Sequence, residues 1–124
     1  MAKKIEQFED LPIWQQAVDI ASEVYLLSNQ DEWKYSFGIK DQIQRSALSI
    51  SSNIAEGFEY DNTKDFIRFL RYAKGSAGEL RSQLYILYRS EVVQRAEYEA
   101  LHTKLLEMSR QLSGFMKYLK SRTQ

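Results

Sequence analysis

The sequence predicts an all-α protein, an antiparallel up-down-up-down four-helix bundle, and three observations carry that prediction. Apolar side chains recur at alternating spacings of three and four residues in four separate stretches, the mark of a helix with one buried face. No stretch alternates apolar and polar residues as a strand would. Short connections near 29–37, 58–62 and 90–95 separate the four stretches, which sets successive helices side by side and antiparallel. With 124 residues the chain is one domain.

The first helix is expected over 11–29, with a seam of Leu11, Trp14, Val18, Ala21 and Tyr25. Pro12 suits its first turn, where a missing N–H has no helical partner to lose. Beside that seam runs a second apolar row, Ile13, Ala17, Ile20, Val24 and Leu27. Two rows are more than one bundle seam requires. The second is therefore read as a contact with another subunit, a wide core face being the alternative. Tyr72, Tyr85 and Tyr88, outward by the same spacing argument, add to that reading.

The second helix, 38–57, follows Ile39, Ile43, Ser46 or Ala47, Ile50 and Ile54, and Gly57 stands where a left-handed stop residue is wanted. The third, 62–89, follows Phe66, Leu70, Ala73, Ala77, Leu80, Leu84 and Leu87. Asn62 is its expected cap, and Asp65 lies in the first turn, where the helix dipole favours a carboxylate. The fourth, 95–120, holds a heptad spacing through Tyr98, Leu101, Leu105, Met108, Leu112, Phe115 and Leu119.

Polar rows run beside the seams of the second and third helices: Arg45, Ser49, Ser52 and Glu56 on one, Arg68, Ser76, Glu79 and Gln83 on the other. An antiparallel register that sets Arg45 opposite Glu79 also sets Glu56 opposite Arg68. If such a pair is buried, truncating one partner costs about 3–5 kcal/mol, because the other charge is left behind uncompensated. Gly75 and Gly78 sit among small residues in mid-helix, at a cost of about 1 kcal/mol each relative to alanine, and are read as allowing tight helix packing.

Composition removes several chemistries. The chain has no cysteine and a single histidine, so a disulfide scaffold, a thiol nucleophile and a multi-histidine metal site are unavailable. Glu99 and His102 have the Glu-x-x-His spacing of di-iron bundles, but no second such motif accompanies them. They also flank the seam instead of occupying it. Gly75 to Gly78 fits a GXXG loop, yet the strands that such a loop needs are missing. No phosphate loop, dinucleotide fingerprint or nucleophile elbow occurs. No enzyme and no cofactor are expected. The apolar runs are too short for a membrane helix and residues 1–11 do not read as a signal peptide, so a cytoplasmic location is expected.

Seventeen basic and seventeen acidic residues cancel, but they are unevenly placed. Residues 1–36 hold three basic and seven acidic side chains, whereas 37–124 hold fourteen and ten. Lys64, Arg68, Arg71 and Lys74 recur along the third helix, and Arg110, Lys117, Lys120 and Arg122 end the fourth with no acid after them. These eight are the candidate nucleic-acid contacts, although cations near a helix C-terminus also complement its dipole.

The run Gln42 to Gly57, with Phe8-Glu9-Asp10-Leu11 and Trp14 before it and Phe69-Leu70, Ala73, Gly75-Ser76 and Glu79-Leu80 after it, resembles the four-helix-bundle proteins encoded in 23S ribosomal RNA intervening sequences. Its most specific element is Ser-Ile-x-x-Asn-Ile-Ala-Glu-Gly, Ser49 to Gly57. The family is similar in turn to the accessory variability determinants of diversity-generating retroelements. The resemblance implies a bacterial homopentamer, with Arg45, Asn53, Glu56 and Glu79 on the motif's polar positions as a structural polar core. The expected function is non-enzymatic binding of RNA or DNA; the alternative is a scaffold for its own copies or a partner protein, or a retroelement-type accessory subunit, with no direct nucleic-acid binding.

Overall fold

The computed structural model describes residues 4–33 and 37–122. Four helices form, α1 (Pro12–Ser28), α2 (Phe37–Glu59), α3 (Thr63–Arg89) and α4 (Arg95–Arg122), with short 3-10 turns at Phe8–Asp10 and Asp31–Trp33. Among the described residues there is no strand, and no helix is long and apolar enough to cross a membrane. Contacts run from α1 to α2, α2 to α3, α3 to α4 and α4 back to α1, so the four seams share one interior.

Several expected local signals are present. Pro12 opens α1. Asn62 caps α3, its Oδ1 accepting from the Asp65 N–H at 2.9 Å. The apolar rhythm of α3 is buried from Leu70 to Leu87, and α4 buries Leu101, Leu105, Met108 and Leu112.

Three readings of the sequence are corrected. On α1 the second row is core: Ile13, Ala17, Ile20, Val24 and Leu27 are all buried within the chain, as are Leu11 and Ala21 of the expected seam, while Trp14, Val18 and Tyr25 are only half-buried on the flank. The row assigned to a subunit contact is therefore the chain's own core. A wide apolar arc was the correct observation, and the bundle interior is what it serves.

Gly57 is not a stop residue. Helix α2 runs through it to Glu59, and no glycine among the described residues has a positive φ; the left-handed positions at the two later turns are Asp61 (φ 57°) and Glu91 (φ 64°). Gly57 is instead a close-approach site, where an added Cβ would lie 2.7 Å from the Cβ of Phe69 and 3.1 Å from the Phe66 ring. Gly57→Ala is expected to cost about 1–3 kcal/mol through overpacking, even though alanine gains about 1 kcal/mol of helix propensity. Denaturant unfolding measures it, and a variant as stable as the parent would show that α3 can retreat freely.

Gly75 and Gly78 are the converse case. An added Cβ at either meets nothing within 4 Å, so packing inside the subunit does not require them.

Candidate nucleic-acid interface

Helix α3 turns Leu70, Ala73, Ala77, Leu80 and Leu84 inward. The residues on its opposite side face outward by helical geometry, and they include Lys64, Arg68 and Arg71, with Lys74 on the edge, all exposed. The helix carries six basic residues against two acidic ones, Asp65 and Glu79, so its outer face is positive although the whole chain is neutral. Among the described residues no carboxylate lies within ion-pair distance of Lys64, Arg71 or Lys74, while Arg68 donates to Asp65 Oδ1 at 3.1 Å.

Asp65 is held by Asn62 Nδ2 at 2.7 Å as well as by Arg68. The Asn62 hydrogen bond first, and that of Arg68 second, keep the Asp65 carboxyl below the usual carboxylate range. Arg68 is thus positioned by the same group that anchors the start of the helix.

The α4 candidates gather at the same end of the bundle, where Phe115 meets Phe66 at 5.4 Å between ring centroids. Arg110 pairs with Glu107 at 3.1 Å, and Arg122 donates to the Tyr118 hydroxyl at 2.9 Å. Lys117 and Lys120 are exposed.

The structural polar core takes a different form from the one expected. Arg45 is exposed and donates to Asp41 at 2.8 Å on its own helix, and Arg68 turns to Asp65, so neither the Arg45–Glu79 nor the Glu56–Arg68 pair exists. Glu56 is exposed. The register between the helices was nearly right: Gln42 meets Gln83, Ser46 meets Glu79 and Ser49 meets Ser76. What failed was the choice of side chain at each level. A long arginine reaches a carboxylate one turn away at little cost, leaving the short Ser46 hydroxyl to donate to Glu79 at 2.7 Å. Asn53 does belong to the polar seam, donating to the Ser49 carbonyl at 2.7 Å and to its hydroxyl at 3.0 Å. Glu79 is solvent-exposed, so the large cost of breaking a buried pair does not apply here.

Aromatic side chains cluster beside these cations in a way that spacing along single helices does not disclose. At one end Arg68 lies 4.7 Å from the Phe69 ring centroid and 6.0 Å from that of Tyr72, and Tyr60 stacks on Phe69 at 5.2 Å. At the other end Tyr88 and Tyr98 stack at 4.8 Å, Tyr85 meets Tyr98 at 6.0 Å, and Arg89 donates to the Tyr85 hydroxyl at 3.0 Å. Glu99 is occupied by Arg95 at 2.9 Å and His102 lies against Tyr98 at 5.4 Å.

The family model of the 23S rRNA-intervening sequence protein matches residues 9–114. The chain belongs to that family. The match passes beyond Leu80, the last residue of the motif that carries the resemblance, and takes in most of α4. A solved structure from Bacteroides thetaiotaomicron, described as a protein with unknown function from the S23 ribosomal protein family, is 27% identical with a TM-score of 0.77 over 85% of this chain and 98% of that one. No curated protein matches the chain. For this 23S rRNA-intervening sequence family member, the combination left unexplained by packing is a positive outer face on α3 with tyrosines at its flanks.

Proposed function

We propose that this protein binds RNA or DNA through the outer face of α3, without enzymatic activity of its own, as an antiparallel up-down-up-down bundle. The observation that carries this reading is the exposed row Lys64, Arg68, Arg71 and Lys74, in which three of the four cations have no carboxylate partner among the described residues. Phosphates are the complement of such a row. Its charge is local, so it acts although the chain is neutral overall. Titration against structured RNA and duplex DNA at ~50 and ~200 mM salt tests it. Four phosphate contacts predict about a hundredfold weaker binding to duplex at the higher salt; no binding at the lower salt would refute the proposal.

A second reading, the self-associating scaffold, draws on a different patch. Phe37 (75% exposed), Ile39 and Ile86 (57% exposed) stand open at the end of the α2–α3 hairpin, around a groove lined by Gly38, Ile39, Gln42, Gln83, Ile86 and Leu87. The pentamer implied by the family resemblance would bury this patch, not the Ile13 row. Light scattering distinguishes a 14.6 kDa chain from a multiple of it.

A further inference from the structure

We infer that the outer face of α3 is a track for a single, unpaired nucleic-acid strand, with Tyr72 and Tyr85 as the platforms on which its bases stack. The inference rests on the nucleic-acid reading above and narrows it to one class of ligand.

Two half-open tyrosines stand on opposite flanks of this face, about 140° of helix rotation apart, Tyr72 at 48% and Tyr85 at 45%, so a strand that joins them crosses the helix obliquely. Each is coupled to an arginine four residues away: Arg68 lies over the Tyr72 ring, and Arg89 lies over the Tyr85 ring at 5.8 Å and donates to its hydroxyl. Each is also held from behind. Phe69 meets Tyr72 edge-on at 5.6 Å, and Tyr98 of α4 supports Tyr85. A braced, half-exposed ring suits base stacking, since a π-face accepts any base and a rigid ring loses little freedom on binding.

Between them the outermost line of the helix carries small residues, with Lys74, Glu79 and Arg81 to either side. Thirteen residues of helix separate Tyr72 from Tyr85, about 20 Å, and over that span the outward positions include Gly75, Gly78 and Ser82. Nothing inside the subunit needs those glycines, and each costs about as much as a weak hydrogen bond in helix stability. A strand lying close along the helix gives them a purpose. Lys64, Arg68, Arg71 and Lys74 at one end and Arg89 at the other then face its phosphates. Glu79, the carboxylate within this span, is drawn to the α2 flank by Ser46.

A duplex cannot use this arrangement. Its bases are already stacked on one another, so the tyrosines meet only sugar and phosphate. The track therefore predicts preference for the open strand.

The experiment compares a 12-nucleotide single-stranded RNA carrying one 2-aminopurine with a 12-base-pair duplex of the same sequence, using the whole chain. The expected result is tighter binding of the strand, with quenching of 2-aminopurine fluorescence on stacking. Tyr72→Leu should weaken strand binding roughly 5- to 150-fold, the range that stacking one base spans, and duplex binding less than twofold. The salt slope should not move, because no phosphate contact is lost. Tyr72→Phe should restore both affinity and quenching, and Gly75→Leu, which has room within the subunit, should block the strand. Equal losses for strand and duplex, or no loss for either, overturn the track while the nucleic-acid reading stands. A parent that binds neither probe overturns both, and if Gly75→Leu then also lowers an oligomeric mass, the face belongs to contacts between copies.

Discussion

Trp33→Ala is expected to destabilise the protein by about 3–5 kcal/mol, the cost of removing a fully buried tryptophan. Trp33 is 0% exposed, among the largest buried side chains, and it is part of the single core although it lies in the 3-10 turn Asp31–Trp33 between α1 and α2. Its backbone N–H is tied to the Gln30 carbonyl at 3.0 Å, so the ring enters the bundle from a fixed point. A domain of this size is stable by about 5–15 kcal/mol, so this one change removes a large part of the total. The indole N–H finds no partner among the described residues, and an unpaired buried donor costs about 1–3 kcal/mol. Trp33→Phe should therefore cost much less than Trp33→Ala, because it deletes that donor along with part of the ring. Trp14, half-buried and edge-on to Phe8 at 5.2 Å, supplies the comparison: Trp14→Ala should cost less than Trp33→Ala. Urea unfolding of the variants decides it, and a loss below about 1 kcal/mol for Trp33→Ala would mean that the turn is not part of the core.

The same residue shows where the sequence was silent. The seams of α3 and α4 were legible because a helix repeats its burial every turn, and Leu70, Leu80, Leu105 and Leu112 each restate the pattern that the others set. Trp33 has no such chorus: it stands after Asn29, Gln30, Asp31 and Glu32 in a connection with no period to read. On α1 the periodicity gave two adjacent rows and no means of ranking them, since which row faces the interior depends on how α2 and α4 sit against the helix. Helix ends and capping at Asn62 were legible because they are settled within four residues. Gly57 was not, because a helix-ending glycine and a close-packed glycine look alike until Phe69 is placed opposite.

The polar and charged residues divide in the same way. That Lys64, Arg68 and Arg71 point outward follows from the seam of α3 alone, so the candidate interface was visible in the sequence. The failure at Arg45 and Glu79 came from treating register as if it chose partners. The exposed Tyr72 and Tyr85 were picked out by spacing, but their coupling to Arg68 and Arg89 and their support from Phe69 and Tyr98 arise where turns and helices meet, and no periodicity within one helix reports that.

Replacing Lys64, Arg68, Arg71 and Lys74 together by glutamine should remove most nucleic-acid binding while leaving the fold intact. Each phosphate contact contributes about 0.9 to the slope of log affinity against log salt for a duplex, so losing four should flatten that slope by about 3 to 4. At ~50 mM salt the affinity should fall by at least a hundredfold. Stability should change little, since exposed positions away from special features shift it by about 0.5 kcal/mol or less each, and glutamine keeps the helix propensity of lysine and arginine. Asp65 loses the pairing of Arg68 but keeps that of Asn62, so the helix cap survives. The matched change on α4, at Arg110, Lys117, Lys120 and Arg122, should have the smaller effect, because Glu107 pairs with Arg110 and Tyr118 holds Arg122, whereas on α3 the one cation paired with a carboxylate is Arg68 among the described residues. Two outcomes would defeat the assignment. If the α3 variant binds as the parent does with an unchanged salt slope, the row is a solvated face and nothing more. If the α4 variant is the one that loses binding, the phosphates lie across the Phe66–Phe115 end of the bundle, and the strand does not run along α3.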